Sequence, residues 1–125
     1  MNNNKILLVE DEPDIIRLVK FTLEQRNFEV VATSNGLAAI EIASTEKPDL
    51  ILLDVMMPVI NGYDTCVRLK KNEKTKDIPV IILSAKAQKK EVDRALKVGA
   101  ADFIAKPFSP RELREKIEKI LSIKN

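Results

Sequence analysis

Residues 50–54 have the sequence Leu50-Ile51-Leu52-Leu53-Asp54, an apolar run that ends in a carboxylate. A short, continuous apolar run is typical of a strand that is buried on both faces. A charged side chain at the end of such a strand is costly unless it has a partner. Asp54 is therefore the first candidate for a functional residue in this chain.

Three other apolar runs also end in polar residues. In chain order these residues are Glu10 with Asp11, Ser84, and Lys106. In an open parallel sheet, ligands bind beyond the carboxyl ends of the strands. The sequence therefore predicts one site in which acids, a hydroxyl and a lysine bind a divalent cation and hold a phosphoryl group on Asp54.

Strand-like runs alternate with helical patterns, which indicates βα units and a parallel sheet. The predicted strands are Lys5–Val9, Phe28–Thr33, Leu50–Leu53, Pro79–Leu83 and Asp102–Ala105. The predicted helices are Pro13–Arg26, Leu37–Glu46, Tyr63–Asn72, Gln88–Val98 and a helix that opens at Ser109-Pro110. The expected fold is α/β, a doubly wound, flavodoxin-like parallel sheet of five strands in the order 2-1-3-4-5 with five helices. With 125 residues, the chain is expected to form a single domain over residues 1–125.

Local signals support these assignments. Gly99 suits the left-handed position that ends a helix. Ser109-Pro110-Arg111-Glu112 is a capping box with proline at the first helical position. The bond between Lys106 and Pro107 is a candidate cis peptide.

The composition excludes several classes of function. The net charge is only +2, which indicates no basic face for nucleic acid. No apolar run is long enough to span a membrane, and the N-terminus lacks the pattern of a signal peptide, so a soluble, cytoplasmic protein is expected. The absence of histidine excludes histidine-based catalysis, and Cys66 is alone, so no disulfide forms within the chain.

Strands one and three are neighbours in the predicted order, so Glu10, Asp11 and Asp54 should lie close together. Their charges repel, and each raises the pKa of its neighbours unless a cation is bound. Carboxylate oxygens suit Mg²⁺, and a backbone carbonyl after Asp54 could complete its coordination. The alternative is three separate acids that cap turns. Three interpretations of Lys106 are open: an exposed turn lysine, a counter-ion for Asp54, or a clamp for phosphoryl oxygens. Ser84 either caps the next segment or donates a hydrogen bond to a phosphoryl oxygen.

Five motifs together resemble the receiver domain of two-component response regulators. They are Glu10-Asp11, Asp54-Val55-Met56-Met57-Pro58, Asn61-Gly62, Ser84-Ala85 and Lys106-Pro107-Phe108. The resemblance implies that Asp54 is the phosphoacceptor and that Mg²⁺, with Mn²⁺ as a substitute, is held by Glu10, Asp11, Asp54 and the Met56 carbonyl. It also implies that Lys106 is the phosphoryl clamp, with Ser84 and Phe103 as switch residues. The chain departs from the most usual residues of these motifs at three positions. It has Glu10 in place of aspartate, Ser84 in place of threonine and Phe103 in place of tyrosine.

The resemblance implies a signalling module, not an enzyme, that catalyses only its own phosphorylation and autodephosphorylation. A sensor histidine kinase donates the phosphoryl group and docks on helix one around Ile15, Leu18 and Thr22. On phosphorylation, the face of helix four, strand five and helix five changes its preference for partners. A homodimer through this face is one expected outcome. We expect no nucleic-acid binding and no membrane contact by this domain. The exposed charges expected on that face are Lys89, Lys90, Arg94, Arg111, Glu115 and Glu118.

The motifs argue against three other functions. A haloacid-dehalogenase-like phosphohydrolase needs a second aspartate two residues after the nucleophile, where this chain has Met56. A flavodoxin needs a phosphate-binding loop after strand one, where Glu10-Asp11-Glu12 would repel a phosphate. A degenerate receiver used only for docking would lack a motif residue, and none is missing here.

Overall fold

The computed structural model describes residues 4–57 and 59–121. In that part of the chain the strands are β1 Lys5–Val9, β2 Glu29–Thr33, β3 Leu50–Asp54, β4 Val80–Ser84 and β5 Asp102–Ala105. The helices are α1 Pro13–Glu24, α2 Gly36–Glu46, α3 Gly62–Lys71, α4 Lys89–Lys97 and α5 Pro110–Leu121. Strands and helices alternate strictly, as the sequence predicts.

All neighbouring strands are parallel, and the sheet order is β2-β1-β3-β4-β5. Val9 at the end of β1 lies opposite Leu53, and Asp54 at the end of β3 lies opposite Leu83. The predicted α/β fold and strand order are confirmed. The order reverses between β1 and β3, so the crevice beyond their carboxyl ends is the expected place for a ligand.

Helices cover both faces of the sheet and bury its apolar strands. Helices α1 and α5 pack on one face, where Val19 and Leu113 are fully buried. Helices α2, α3 and α4 pack on the other face, and the small side chains of Ala39 and Ala95 let two of them approach the strands closely. Each face thus has its own core, and the two cores together hold the strand ends in fixed positions.

The predicted element ends lie within one residue of the observed ends, except the end of α1, which differs by two. Helix α1 ends at Glu24, two residues early, because the chain turns at Asn27, whose left-handed φ of 67° cannot continue a helix. Strand β4 starts after Pro79, whose nitrogen has no proton to donate to the sheet, and it includes Ser84 as its last residue.

Other local signals appear as expected. Gly99 follows α4 with a left-handed φ of 102°. The Ser109 hydroxyl oxygen accepts a hydrogen bond of 3.0 Å from the backbone N–H of Glu112 at the start of α5. The bond between Lys106 and Pro107 is cis. Among the described helices, none has the length and apolar character needed to cross a bilayer.

Candidate functional site

Three carboxylates meet where β1 and β3 end. Asp54 is the last residue of β3, and Glu10 and Asp11 directly follow β1. One oxygen from each of the three lies within 4.8 Å of the other two. Glu10 is fully buried and Asp54 is 3% exposed, whereas Asp11 faces solvent. The acids therefore share one site, as the strand order predicts, and are not three separate turn caps.

Lys106 reaches into this cluster from the end of β5. Its Nζ lies 2.9 Å from Glu10 Oε1, 3.2 Å from Asp54 Oδ1 and 3.2 Å from Glu12 Oε1. The Lys106 side chain is only 11% exposed, so the interpretation as an exposed turn lysine is wrong. Lys106 is a buried counter-ion for the acids.

The charges at this site are not balanced. Burial raises the pKa of Glu10 and of Asp54, and the charges of Asp54 on Glu10 and of Asp11 on Asp54 raise them further, against the opposing effect of Lys106. Burial alone would lower the pKa of Lys106, but its hydrogen bonds and charge interactions with Glu10 and Asp54 outweigh burial and raise it. One lysine does not neutralise the cluster, so an additional cation would relieve the repulsion.

The available donors fit a hard divalent cation. The fully buried Glu10 carboxylate has the Lys106 ammonium at 2.9 Å from its Oε1 as its cationic partner, and that single lysine is shared with Asp54 and Glu12. The clustered side-chain ligands are all carboxylates, and Mg²⁺ prefers oxygen ligands. The residues present therefore suit Mg²⁺, with Asp11 on the solvent side of the site.

The loop after β3 is fixed tightly against the site. A Cβ added to Gly62 would lie 2.4 Å from the Asp54 carbonyl oxygen, so this position accepts only glycine without a shift of the backbone. The Gly62 N–H donates to the Val55 carbonyl at 2.9 Å, and the Asn61 side chain caps α3 by accepting from the Asp64 N–H at 2.8 Å. The motif Asn61-Gly62 thus positions the backbone around Asp54.

The two expected switch residues are both buried. Ser84 is 2% exposed, and its Oγ accepts a hydrogen bond of 3.0 Å from the Lys86 N–H. Phe103 is 6% exposed and packs in the core beneath α4 with Ala95. Both side chains are therefore enclosed within the domain.

A cleft of about 880 Å³ opens beside the acids and runs toward α4. Its lining includes Asp11, Ser84 and Tyr63, and the Arg94 guanidinium lies 4.1 Å from the centre of the Tyr63 ring. Sequence reasoning missed this stacking, because Tyr63 and Arg94 lie on different helices and no local pattern links them. The cleft leaves the solvent side of the acidic cluster, at Asp11, open to a ligand.

Two surface expectations need correction. Thr22, expected on the docking face of α1, is 5% exposed and faces the core, whereas its neighbour Phe21 is 66% exposed. Glu118, expected to be exposed on α5, is half-buried. Arg111 is exposed as expected, and it pairs with Glu115 in its own helix at 3.0 Å.

A parallel five-stranded α/β fold with an acidic cluster and a lysine at its switch point defines a class of phosphoryl-accepting signalling domains. The model of the response regulator receiver domain matches residues 6–118. The chain belongs to this family, and the resemblance inferred from the motifs is confirmed. It is a receiver domain of two-component response regulators, whose general function is phosphorylation on aspartate.

Sequence relatives include transcriptional regulators. The alkaline phosphatase synthesis transcriptional regulatory protein PhoP of Bacillus subtilis is 40% identical over 119 residues, which are 95% of this chain and 49% of PhoP. The chain thus spans about half the length of the curated relatives that it matches.

Solved structures share the whole fold. The chemotaxis protein CheY4 of Vibrio cholerae has a TM-score of 0.90 at 28% identity and covers 96% of this chain and 100% of its own. The receiver domain of the sensor histidine kinase PA1611 of Pseudomonas aeruginosa, solved with magnesium coordinated in its active-site cleft, has a TM-score of 0.87 at 30% identity. It covers 94% of this chain and 97% of its own. Receiver domains bind Mg²⁺ at an acidic pocket, and the cluster at Asp54 fits that property.

Proposed function

We propose that Asp54 is the phosphoacceptor of this receiver domain. One observation carries the proposal: Asp54 is a buried strand-end carboxylate that contacts Lys106 at 3.2 Å and shares a cluster with Glu10 and Asp11. This geometry supplies the nucleophile, a lysine that can hold phosphoryl oxygens, and the acids for a cation. Glu10, Asp11, Asp54 and the Met56 carbonyl would hold Mg²⁺, and Mn²⁺ could substitute because it accepts the same oxygen ligands.

The reaction is a transfer between nitrogen and oxygen. An Asp54 carboxylate oxygen forms a bond to phosphorus while the bond from phosphorus to the histidine nitrogen of a sensor kinase breaks, and that nitrogen keeps the electron pair. Lys106 stabilises the negative charge on the phosphoryl oxygens. When bound, Mg²⁺ supplies further positive charge to those oxygens. In the later hydrolysis, water attacks phosphorus, the bond to the Asp54 oxygen breaks, and phosphate leaves.

The phosphorylated state differs from the free state by one charged group beside Ser84. We propose that Ser84 donates a hydrogen bond to a phosphoryl oxygen and gives up its present bond to the Lys86 N–H. Phe103, packed under α4, then shifts against that helix and changes the surface of α4, β5 and α5. This is a two-state element biased by a local change of charge.

The partners follow from exposed surfaces. The kinase would dock on α1 at Ile15, Leu18 and the exposed Phe21, which takes the place expected for Thr22. A homodimer through α4, β5 and α5, and the absence of direct nucleic-acid binding by this domain, remain part of the proposal. So do the single domain over residues 1–125, the restriction of its chemistry to its own phosphorylation and dephosphorylation, and the cytoplasmic location.

Intact mass spectrometry tests the site assignment. The protein is incubated with acetyl phosphate or phosphoramidate, with and without Mg²⁺. Wild type should gain one phosphoryl group only with Mg²⁺, and Asp54→Ala should gain none. The matched control is Asp64→Asn, an exposed aspartate in the first turn of α3, which should react like wild type. A phosphorylated Asp54→Ala variant would refute the assignment.

A further inference from the structure

Lys106 has a third carboxylate partner that lies outside the metal-binding cluster. Glu12 Oε1 is 3.2 Å from Lys106 Nζ, as close as Asp54 is. The three acids with an oxygen within 4.8 Å of one another are Glu10, Asp11 and Asp54. The Glu12 side chain is 61% exposed, so it contacts the lysine from the solvent side of the site.

The backbone holds Glu12 in this position. Its N–H donates to Glu10 Oε2 at 3.2 Å, and its carbonyl accepts the Ile16 N–H at 3.0 Å in the first turn of α1. Its side chain makes no capping hydrogen bond to α1, although Glu12 is the residue that precedes the helix. The carboxylate is therefore available for Lys106 and is not needed to start the helix.

The Lys106 ammonium has three protons, and three carboxylates surround it. A phosphoryl group on Asp54 needs at least one of these protons for its own oxygens. Glu10 is fully buried and stays beside the lysine, whereas Glu12 can turn into water at little cost. Of the three contacts of Lys106, the one with Glu12 therefore breaks first when a phosphoryl group is added to Asp54.

We infer that Glu12 is a positioning residue that competes with the incoming phosphoryl group for Lys106 and so slows phosphorylation. The inference rests on the proposed role of Asp54. The ion pair between Glu12, at the start of α1, and Lys106, at the end of β5, lowers the rate of phosphorylation. Since Glu12 is exposed, the effect on the rate is modest and weakens with salt.

The test compares two variants with two phosphoryl donors in the presence of Mg²⁺. Glu12→Gln removes the charge and keeps the length of the side chain, whereas Glu12→Asp keeps the charge but is one methylene too short to hold Lys106. Rate constants are measured with acetyl phosphate and with phosphoramidate, which carry different charges. If the contact between Glu12 and Lys106 itself slows phosphorylation, both variants should react about two- to fivefold faster than wild type with both donors at low ionic strength. Near about 0.5 M salt the gain should largely disappear.

Glu24→Gln, at the exposed end of α1, is the matched control and should react at the wild-type rate. A wild-type rate for Glu12→Asp, or a gain confined to acetyl phosphate, would mean that only the general field of Glu12 matters and would overturn the inference. Unchanged rates in both variants would overturn it as well. A wild-type protein that gains no phosphoryl group would instead refute the proposed function, so the two failures are distinguishable.

Discussion

The buried charge of Asp54 lowers the stability of the folded protein, although the proposed phosphorylation requires this carboxylate. It is 3% exposed, and burial with a charge from Asp11 raises its pKa in spite of Lys106. A raised pKa means that the folded protein disfavours the charged form of this carboxyl group. We expect Asp54→Asn to raise the free energy of unfolding of the metal-free protein by about 1 kcal/mol, because Lys106 keeps Glu10 as its partner after the change.

The effect of Asp54→Asn should depend on pH with a defined sign. A carboxyl group whose pKa is raised by folding binds protons more tightly in the folded state, so wild type loses stability as pH rises from the ordinary Asp value of about 3.9. The advantage of the variant should therefore be small near pH 4, grow as the pH rises to the raised pKa of Asp54, and stay constant above that pKa. Urea unfolding with a chelator over this range measures it. Asp64→Asn is the exposed control, and an Asp54→Asn variant no more stable than wild type at pH 7 would show that the charge is not unfavourable.

Among the connecting loops, the segment between β3 and α3 contains a strained residue. Val59 has a left-handed φ of 72° and is 75% exposed. This conformation is unfavourable for a β-branched residue and is tolerated by asparagine, and an exposed valine loses little packing when replaced. We expect Val59→Asn to raise the free energy of unfolding by about 1 kcal/mol. Asn27, with a φ of 67°, allows the reverse experiment.

Thermal and urea unfolding of both variants measure this strain. Asn27→Val should lower stability by an amount similar to the gain in Val59→Asn, since it introduces the same conflict into the turn after α1. Equal effects of the two changes, with the same sign, would show that the left-handed conformation does not determine stability at these positions.

Helix α4 should be the least stable of the helices that border the proposed output surface. It has nine residues and buries only Ala95, whereas α5 has twelve residues and buries Leu113 and Ile117. Less buried apolar area means a lower free energy for local opening. Backbone amides of α4 should therefore exchange with deuterium faster than those of α5. Protection of α4 equal to that of α5 would contradict its role as the movable element.

Local sequence patterns predicted the strands, the helices and the place of the site. They did not predict contacts between residues that are far apart in the chain. The apolar runs predicted strands β1, β3 and β4, because four or more consecutive apolar residues bounded by turn signals, such as Leu50–Leu53, are typical of a strand buried on both faces. The polar residue after each run then located the site, because parallel strands end at one edge. The contact of Glu12 with Lys106 and the exposure of Phe21 in place of Thr22 escaped prediction. The contact of Glu12 depends on how the start of α1 packs beside the end of β5, which no local pattern shows. Thr22 lies three residues after the buried Val19, so helical spacing places it on the buried side of α1, and the expectation that it is exposed came from the resemblance alone.

At the scale of the whole domain, the acids and Lys106 lie at the carboxyl edge of the sheet, and β5 is the edge strand opposite β2. Relatives such as PhoP are about twice as long as this chain. In the proposed function, phosphorylation at the carboxyl edge changes the surface of α4, β5 and α5. Phe103 is the proposed connection between the two regions, because it lies on β5 and packs under α4.

That surface yields the prediction for the whole molecule, a homodimer that forms only in the activated state. Its charges are largely paired within the chain: Lys89 with Asp93 at 2.7 Å and Lys116 with Asp102 at 3.3 Å. Symmetric pairing between molecules would exchange these bonds rather than add new ones, and exposed pairs contribute only about 0–1 kcal/mol each. The dimer should therefore be weak, sensitive to salt and mostly absent before phosphorylation. Sedimentation with and without beryllofluoride, a mimic of the phosphoryl group, measures it, with Asp54→Ala as the control that stays monomeric. A wild-type monomer in both states at micromolar concentration would reject the dimer and favour a different protein as the partner of the same face.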